Sequence, residues 1–419
     1  MAAVNLESKT RGRDQGWVVA LVSVGHFYSH FVMLALPPVF LLIQPELGVT
    51  FTALGAVVSA MSVTTAVGQL PAGFLVDRFG ARYILIVGVA IMGLSLLLVG
   101  LTKEYWTLFF LFLVAGFGNS VFHPANFSIL SARLENQVFG RAVSIHSFMG
   151  YVGWAGASLV MLPLALWTDW RTALSIIGII GLAVAVFMLF GSSYLSDRDY
   201  LNSNKSKPNT KILSFRENMV LMGSLPLLMM FLFYLLTAIS TSGVMSFSIV
   251  ANVSLFGVEK MLASTVLTGY LVASAAGVIV GGWLADHTNR HNLVASVAVF
   301  FMASFIMLLA LGGGVLFFML AGMILSGLCY GISSPSRDIL TRKAAPDGSA
   351  GIAFGYTSTG MSIGNFIGPV LCGWILDLGQ PKVLFGILGI LVFISIITIV
   401  FTRPKYAVFE KKKFGEYNE

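Results

Sequence analysis

Charge is what this sequence has least of. Asp, Glu, Lys and Arg make up 10% of its 419 residues, against 57% hydrophobic residues, where a water-soluble domain carries about 25% charged residues. So few charges cannot clothe a water-facing surface, which excludes a soluble globular protein. Cysteine is also scarce: Cys329 and Cys372 are the only two. Both lie inside apolar segments, so they offer neither a disulfide framework nor a metal-site spacing. No Gly-x-x-x-x-Gly-Lys-Ser/Thr sequence occurs, which excludes an intrinsic nucleotide-driven motor, and no His-Glu-x-x-His pair supplies a zinc-dependent catalytic site. The chain is therefore not read as an enzyme, and it implies no cofactor and no metal. Its formal net charge of +7 is dispersed between apolar segments instead of forming one patch, so no nucleic-acid partner is implied.

Long apolar runs are what the sequence does have. Neither Gly16–Ile43 nor Tyr83–Thr102 contains an Asp, Glu, Lys or Arg, and each is long enough for the roughly 20 helical residues that cross a bilayer core. Lys9, Arg11 and Arg13 ahead of the first run resemble the start of a secretory signal. The run is far longer than the about 7–15 residues of such a signal, so it reads as a retained first helix, with Pro37 and Pro38 bending or ending it. Apolar runs and their breaks predict helices near 16–43, 51–76, 83–102, 105–130, 141–166 and 172–193. A second set follows near 219–251, 261–285, 292–312, 315–336, 351–376 and 382–402. This is an all-α polytopic membrane protein with twelve transmembrane helices in two pseudo-symmetric six-helix bundles, 1–193 and 218–402. A polar linker, 194–217, joins the bundles and a basic tail, 403–419, ends the chain.

Positive charge tests the topology separately, because short cytoplasmic loops accumulate Lys and Arg. With the N-terminus inside, Arg78, Arg82, Arg133, Arg141, Arg290, Arg337, Arg342, Lys343, the linker and the tail all fall on the inner side. The outer loops keep only Lys103, Arg171, Lys260 and Lys382. Both termini are expected in the cytoplasm of a bacterial-type inner membrane, with the lipid bilayer as surroundings and the chain a monomer.

The two halves repeat. Gly-Phe-Leu-Val-Asp-Arg-Phe-Gly-Ala-Arg at 73–82 corresponds to Gly-Trp-Leu-Ala-Asp-His-Thr-Asn-Arg-His at 282–291, and Gly116–Pro124 parallels Gly327–Pro335 at nearly the same offset. Internal duplication is a mark of secondary transporters, whose substrate binds near mid-membrane between the repeats. The 73–82 loop resembles the signature that the major facilitator superfamily carries between its second and third helices. The resemblance implies that Gly73 permits close helix packing. It also implies that Asp77 faces a helix N-terminus of the other half, with Arg78 and Arg82 nearby and Asp286 and Arg290 as counterparts. An acid held by a positive helix end is a latch that breaks as the halves rock. Gly150, Gly153 and Gly156, and again Gly360, Gly364, Gly368 and Gly373, have the spacing that lets helix backbones approach in lipid.

Every Asp, Glu, Lys and Arg can be assigned to a loop or a helix end. That leaves His26, His30, His123 and His146 as the ionisable groups well inside predicted helices. Histidine changes charge near neutral pH, and an intramembrane ionisable group is by default a functional hypothesis. His26 and His30 lie one turn apart and share a face. They are read as cavity-lining residues that bind the substrate or a coupling proton, with His123 and His146 nearer the inner gate. Arg337, after Ser334-Pro335-Ser336, either holds an anionic substrate or anchors to headgroups and pairs with nearby acids.

Gly118-Asn119-Ser120 followed by Val-Phe-His-Pro at 121–124, with Gly140-Arg141-Ala142 downstream, resembles fosmidomycin-resistance-type exporters. Gly16-Trp17-Val18-Val19 and Asp169-Trp170-Arg171-Thr172 resemble bacterial monocarboxylate porters. The resulting expectation is a secondary carrier of a small organic solute working by alternating access, proton-coupled, with export favoured. The alternative is a proton-linked or facilitative importer of a monocarboxylate-like organic anion. A polytopic membrane enzyme is the rival of another class, and it lacks a convergent catalytic set.

Overall fold

The computed structural model of the chain describes residues 2–197, 215–311, 314–346 and 349–402. Most of the expected linker, 198–214, and the basic tail, 403–419, lie outside the described residues. Among the described residues, twelve helices are long and apolar enough to cross a membrane: α1 (Asp14–Leu47), α2 (Phe51–Phe79), α3 (Ala81–Val99), α4 (Tyr105–Arg133), α5 (Gln137–Trp167), α6 (Trp170–Phe190), α7 (Leu225–Phe256), α8 (Lys260–Asp286), α9 (His291–Leu311), α10 (Leu316–Lys343), α11 (Gly351–Asp377) and α12 (Pro381–Val400). No strand occurs among the described residues. Exposed side chains such as Phe110, Phe190, Phe317 and Ile397 face outward because lipid, not water, surrounds them, and the helical form satisfies backbone groups within the body of each segment.

Proline and glycine set the local departures. Pro37 and Pro38 convert α1 into a 3-10 turn at Pro37–Val39, after which helix resumes at Phe40. Pro124 has no N–H for the carbonyl of Ser120, and α4 accordingly breaks at Val121 into Tyr105–Ser120 and Phe122–Arg133. Gly80, at φ +85°, makes the turn between α2 and α3. The seventh helix expected from 219 is in fact two: a short helix, Phe215–Met222, and then α7 from Leu225.

The chain divides into two compact units. Unit 1 comprises Met1–Pro208, Met245–Val272 and Pro369–Gly379, and unit 2 comprises Asn209–Val244, Ala273–Gly368 and Gln380–Glu419. The ends of α7, α8 and α11 belong to unit 1. Within it, Ser158 and Ser264 exchange hydrogen bonds, each hydroxyl donating to the other's carbonyl at 3.0 and 2.7 Å. Leu195 and Asp197, expected in a solvated linker, are buried in the same unit.

Glycine contacts carry the repeat into the packing. In unit 1, Gly153 of α5 lies against the carbonyl of Phe27 on α1; in unit 2, Gly364 of α11 lies against the carbonyl of Leu235 on α7. Small residues let these backbones touch where lipid offers no hydrophobic drive for association.

Candidate functional site

Unit 1 brings all four expected histidines together. His26 and His30 come from α1, His123 from α4 immediately after its break, and His146 from α5. The His26 ring stacks on His146 with centroids 3.8 Å apart, and it lies 4.2 Å from His30 and 6.3 Å from His123. His146, expected nearer the gate, thus lies directly against His26. Trp154 of α5 covers His30 at 4.3 Å, and Phe127 of α4 approaches His146 edge-on at 6.4 Å. His26 and His146 are buried, His30 is half-buried and His123 is exposed.

A glycine makes this convergence possible. A methyl group on Gly150 would stand 2.8 Å from Cε1 and Nδ1 of His30 and 2.9 Å from Nε2 of His26. With Gly153 it lets α5 press its backbone onto the histidine face of α1.

The cluster is short of partners. Nδ1 of His26, of His30 and of His146 is buried without a hydrogen bond among the described residues, as is the hydroxyl of Ser23, one turn before His26 on α1. Buried polar atoms are ordinarily paired, and here four in one bundle have no partner within the chain. No carboxylate faces it: α4 and α5 contain no Asp or Glu, and those of α1 lie at its ends, Asp14 and Glu46. The fixed charge nearest in sequence to His146 is Arg141, which is exposed. The rings stack instead of converging on a point, and no group of three or more His, Cys, Asp or Glu among the described residues has the geometry for a metal ion.

Arg337 belongs to unit 2 and is described there. Its Nε lies 3.0 Å from Oδ1 of the adjacent Asp338, and its guanidinium sits 4.7 Å over the Tyr234 ring. The Tyr234 hydroxyl donates to the same Asp338 oxygen at 2.8 Å. Most of the arginine is buried, so its charge is met by Asp338 and the ring instead of extending to a headgroup.

The signature loop stands open. A Cβ on Gly73 would meet nothing within 4 Å, and the same is true of its counterpart Gly282. The close packing implied for Gly73 is therefore absent from this structure. Asp77 and Asp286 are exposed, and neither has a partner among the described residues. Arg78 and Arg82 lie over the neighbouring rings of Phe79 and Tyr83 at 5.3 and 5.6 Å, and Arg290 is exposed. Beside this loop lies an acid that sequence reasoning missed. Both carboxylate oxygens of buried Asp197 accept from the Ala81 N–H at 3.0 Å, and one also accepts from the Ser128 hydroxyl at 2.6 Å. It caps α3 directly after Gly80.

Asp169-Trp170-Arg171-Thr172 turns out to be a structural clasp. Asp169 caps α6 by accepting from the N–H groups of Arg171 and Thr172. Trp170 Nε1 donates to Glu46 at 2.6 Å, Arg171 pairs with the same carboxylate, and Arg171 Nε donates to the Thr102 carbonyl at 2.5 Å. The motif ties the ends of α1, α3 and α6 together.

The sequence matches the family described as Major Facilitator Superfamily over residues 22–259 and 230–416. The chain belongs to that superfamily. Among curated relatives, the fosmidomycin resistance protein of Escherichia coli (strain K12) is 23% identical over 399 residues, 94% of each chain. The multidrug resistance protein MdtH of Shigella boydii serotype 4 (strain Sb227) is 22% identical and covers 77% of this chain and 79% of its own. A probable L-galactonate transporter of Escherichia coli (strain K12) is 25% identical over 42% of this chain and 41% of its own. Of solved structures, the nucleoside transporter NupG superposes with a TM-score of 0.77 at 14% identity, covering 92% of this chain and 100% of that one. An inward-facing bacterial homolog of the lysosomal transporter Spinster gives 0.71 at 16%, covering 93% and 95%. The superfamily fold and a membrane transport function follow from the family match.

Proposed function

We propose that this superfamily member is a proton-coupled secondary carrier that exports a small organic solute, with the histidine cluster as the site where substrate and proton meet. The observation that carries this reading is the convergence of His26, His30, His123 and His146, with buried Nδ1 atoms of three of them unpartnered. Two imidazolium charges about 4 Å apart repel by roughly 4 kcal/mol even at an effective dielectric near 20. The cluster therefore carries one charge at a time and exchanges it with the solute. Export is supported by the names of the relatives, fosmidomycin resistance and multidrug resistance. The carrier sits in a bacterial-type inner membrane as a monomer with both termini in the cytoplasm, where the positive loops hold it. Asp77, with Arg78 and Arg82, is a latch that engages in the other state of the cycle, and Asp286 and Arg290 are its counterparts.

A second reading, import of an organic anion, draws on the match to the probable L-galactonate transporter. In that reading Arg337 is the anion's partner, and the anion displaces Asp338 from it. One experiment separates the two. A panel of organic acids and lipophilic drugs is tested for counterflow in proteoliposomes under an imposed pH gradient of either sign. Export predicts solute accumulation against its gradient when protons run the opposite way, while anion symport predicts accumulation in the direction of proton flow. Flux indifferent to the pH gradient contradicts proton coupling.

A further inference from the structure

The geometry points to Asp377 as a gate-holding residue: the last residue of α11 clasps the first turn of α2, and this clasp is released in each transport cycle. The inference rests on the carrier reading above and deepens it. Asp377 Oδ1 accepts from the Phe51 N–H at 2.7 Å, and Oδ2 accepts from the Thr52 N–H at 2.9 Å and from the Thr52 hydroxyl at 2.5 Å. Thr50 Oγ1 caps the next N–H, that of Ala53, at 3.1 Å. A helix leaves its first four N–H groups without intrahelical partners, and here two of them are satisfied by a residue more than 300 positions away in the chain. The negative charge also lies where the α2 macrodipole is positive.

Further contacts make the clasp one end of a longer seam between α2 and α11. Gly373 of α11 lies against the Phe51 carbonyl, and Gly55 of α2 lies against the Pro369 carbonyl, so the two backbones interlock in both directions. The clasp itself is polar: an exposed carboxylate is held by backbone N–H groups that water can satisfy equally well. Such a contact separates at little cost, unlike an interdigitated apolar one.

The same helix carries the signature acid at its other end. Asp77 lies in the last turn of α2, unengaged, while Asp377 grips the first turn. With 29 residues at about 1.5 Å each, α2 has an engaged acid clasp at its first turn and a free acid at its last, and a carrier that opens one face at a time needs one end held while the other is free.

A thiol already in the chain reports the seam. Cys372, beside Gly373, is fully buried, and Cys329→Ser leaves it the only cysteine. In that background, N-ethylmaleimide labelling of Cys372 should be slow. Asp377→Ala and Asp377→Asn should each accelerate it, by about 2- to 30-fold for the loss of a cap, and Thr52→Val by less. Asp197→Asn, which weakens α3 away from the seam, serves as a control for general destabilisation and should lower thermal stability without accelerating the label. Unchanged labelling in both Asp377 variants, or equal acceleration in Asp197→Asn, overturns the assignment. Labelling requires no solute, so a chain without flux that still shows the acceleration would sink the carrier reading and leave the clasp standing.

Discussion

The ring of His26 on α1 stacks on the ring of His146 on α5 at a centroid separation of 3.8 Å, and neither Nδ1 has a hydrogen-bond partner among the described residues. In the proposed function, imidazoles pressed together without a carboxylate take their charge from outside, as a proton or a solute.

Replacing either ring should therefore disable coupling without disturbing insertion. His26→Leu and His146→Leu should each lower proton-linked flux at least tenfold, with amounts in the membrane and thermal stability close to wild type. The double variant should lose little more than either single one, because residues that act as a unit are grossly non-additive. His123, exposed at 6.3 Å, should show a smaller loss when replaced. Flux assays on the three variants and the double settle the order.

Gly150→Ala should impair transport through geometry alone. Its methyl would stand 2.8–2.9 Å from the imidazoles of His30 and His26, so the rings must shift or α5 must withdraw from α1. Overpacking of this kind costs typically about 1–3 kcal/mol. Gly73→Ala is the contrasting case: nothing lies within 4 Å of the added methyl in this structure, so thermal stability should hold. If Gly73 packs closely in the other state of the cycle, flux alone falls. Melting curves and flux measured on both variants discriminate the two effects.

Asp197→Ala should destabilise the chain by about 1–3 kcal/mol, since it leaves the Ala81 N–H and the Ser128 hydroxyl without their buried acceptor. Thermal unfolding of the purified variant measures the loss. A stability equal to wild type would show that the cap contributes nothing.

The Asp169 cap yields a pH dependence. The Thr172 hydroxyl first, then the backbone N–H groups of Thr172 and Arg171, hold its carboxyl below the ordinary range. A depressed folded value means that the stabilisation is present above the unfolded value, about 3.9, and is lost as the pH falls through the folded one. Asp169→Ala should cost about 0.5 kcal/mol at neutral pH, the low end because the site is exposed and solvent-screened. The gap to wild type should close as the pH drops below about 4. Melting temperatures of the two proteins across that range give the comparison.

The framework was legible in the sequence because its signals are local. Apolar run length placed the twelve spans, Pro37 and Pro38 marked the bend in α1, and the repeated signature disclosed the duplication. The four histidines stood out because few other ionisable groups enter the hydrocarbon region. Acids at helix ends were not legible in the same way. Asp197 reads as part of a solvated loop and Asp377 as an ordinary helix terminus, because an acid's partner across the fold leaves no trace in its neighbours along the chain. Nor could spacing show that His146 lies on His26, since the α1–α5 register depends on Gly150 and Gly153. The Asp169-Trp170-Arg171-Thr172 segment resembled a functional motif, and its side chains are occupied in joining helix ends.

Proton movement through the cluster is the central claim, and one measurement addresses it directly. Purified wild-type protein and the His26→Leu/His146→Leu double variant are reconstituted into liposomes holding a pH-sensitive dye, and solute is added on one side. The account predicts a solute-dependent pH change inside wild-type vesicles and none in the double variant. An equal pH change in both would remove the histidines from coupling and contradict the account.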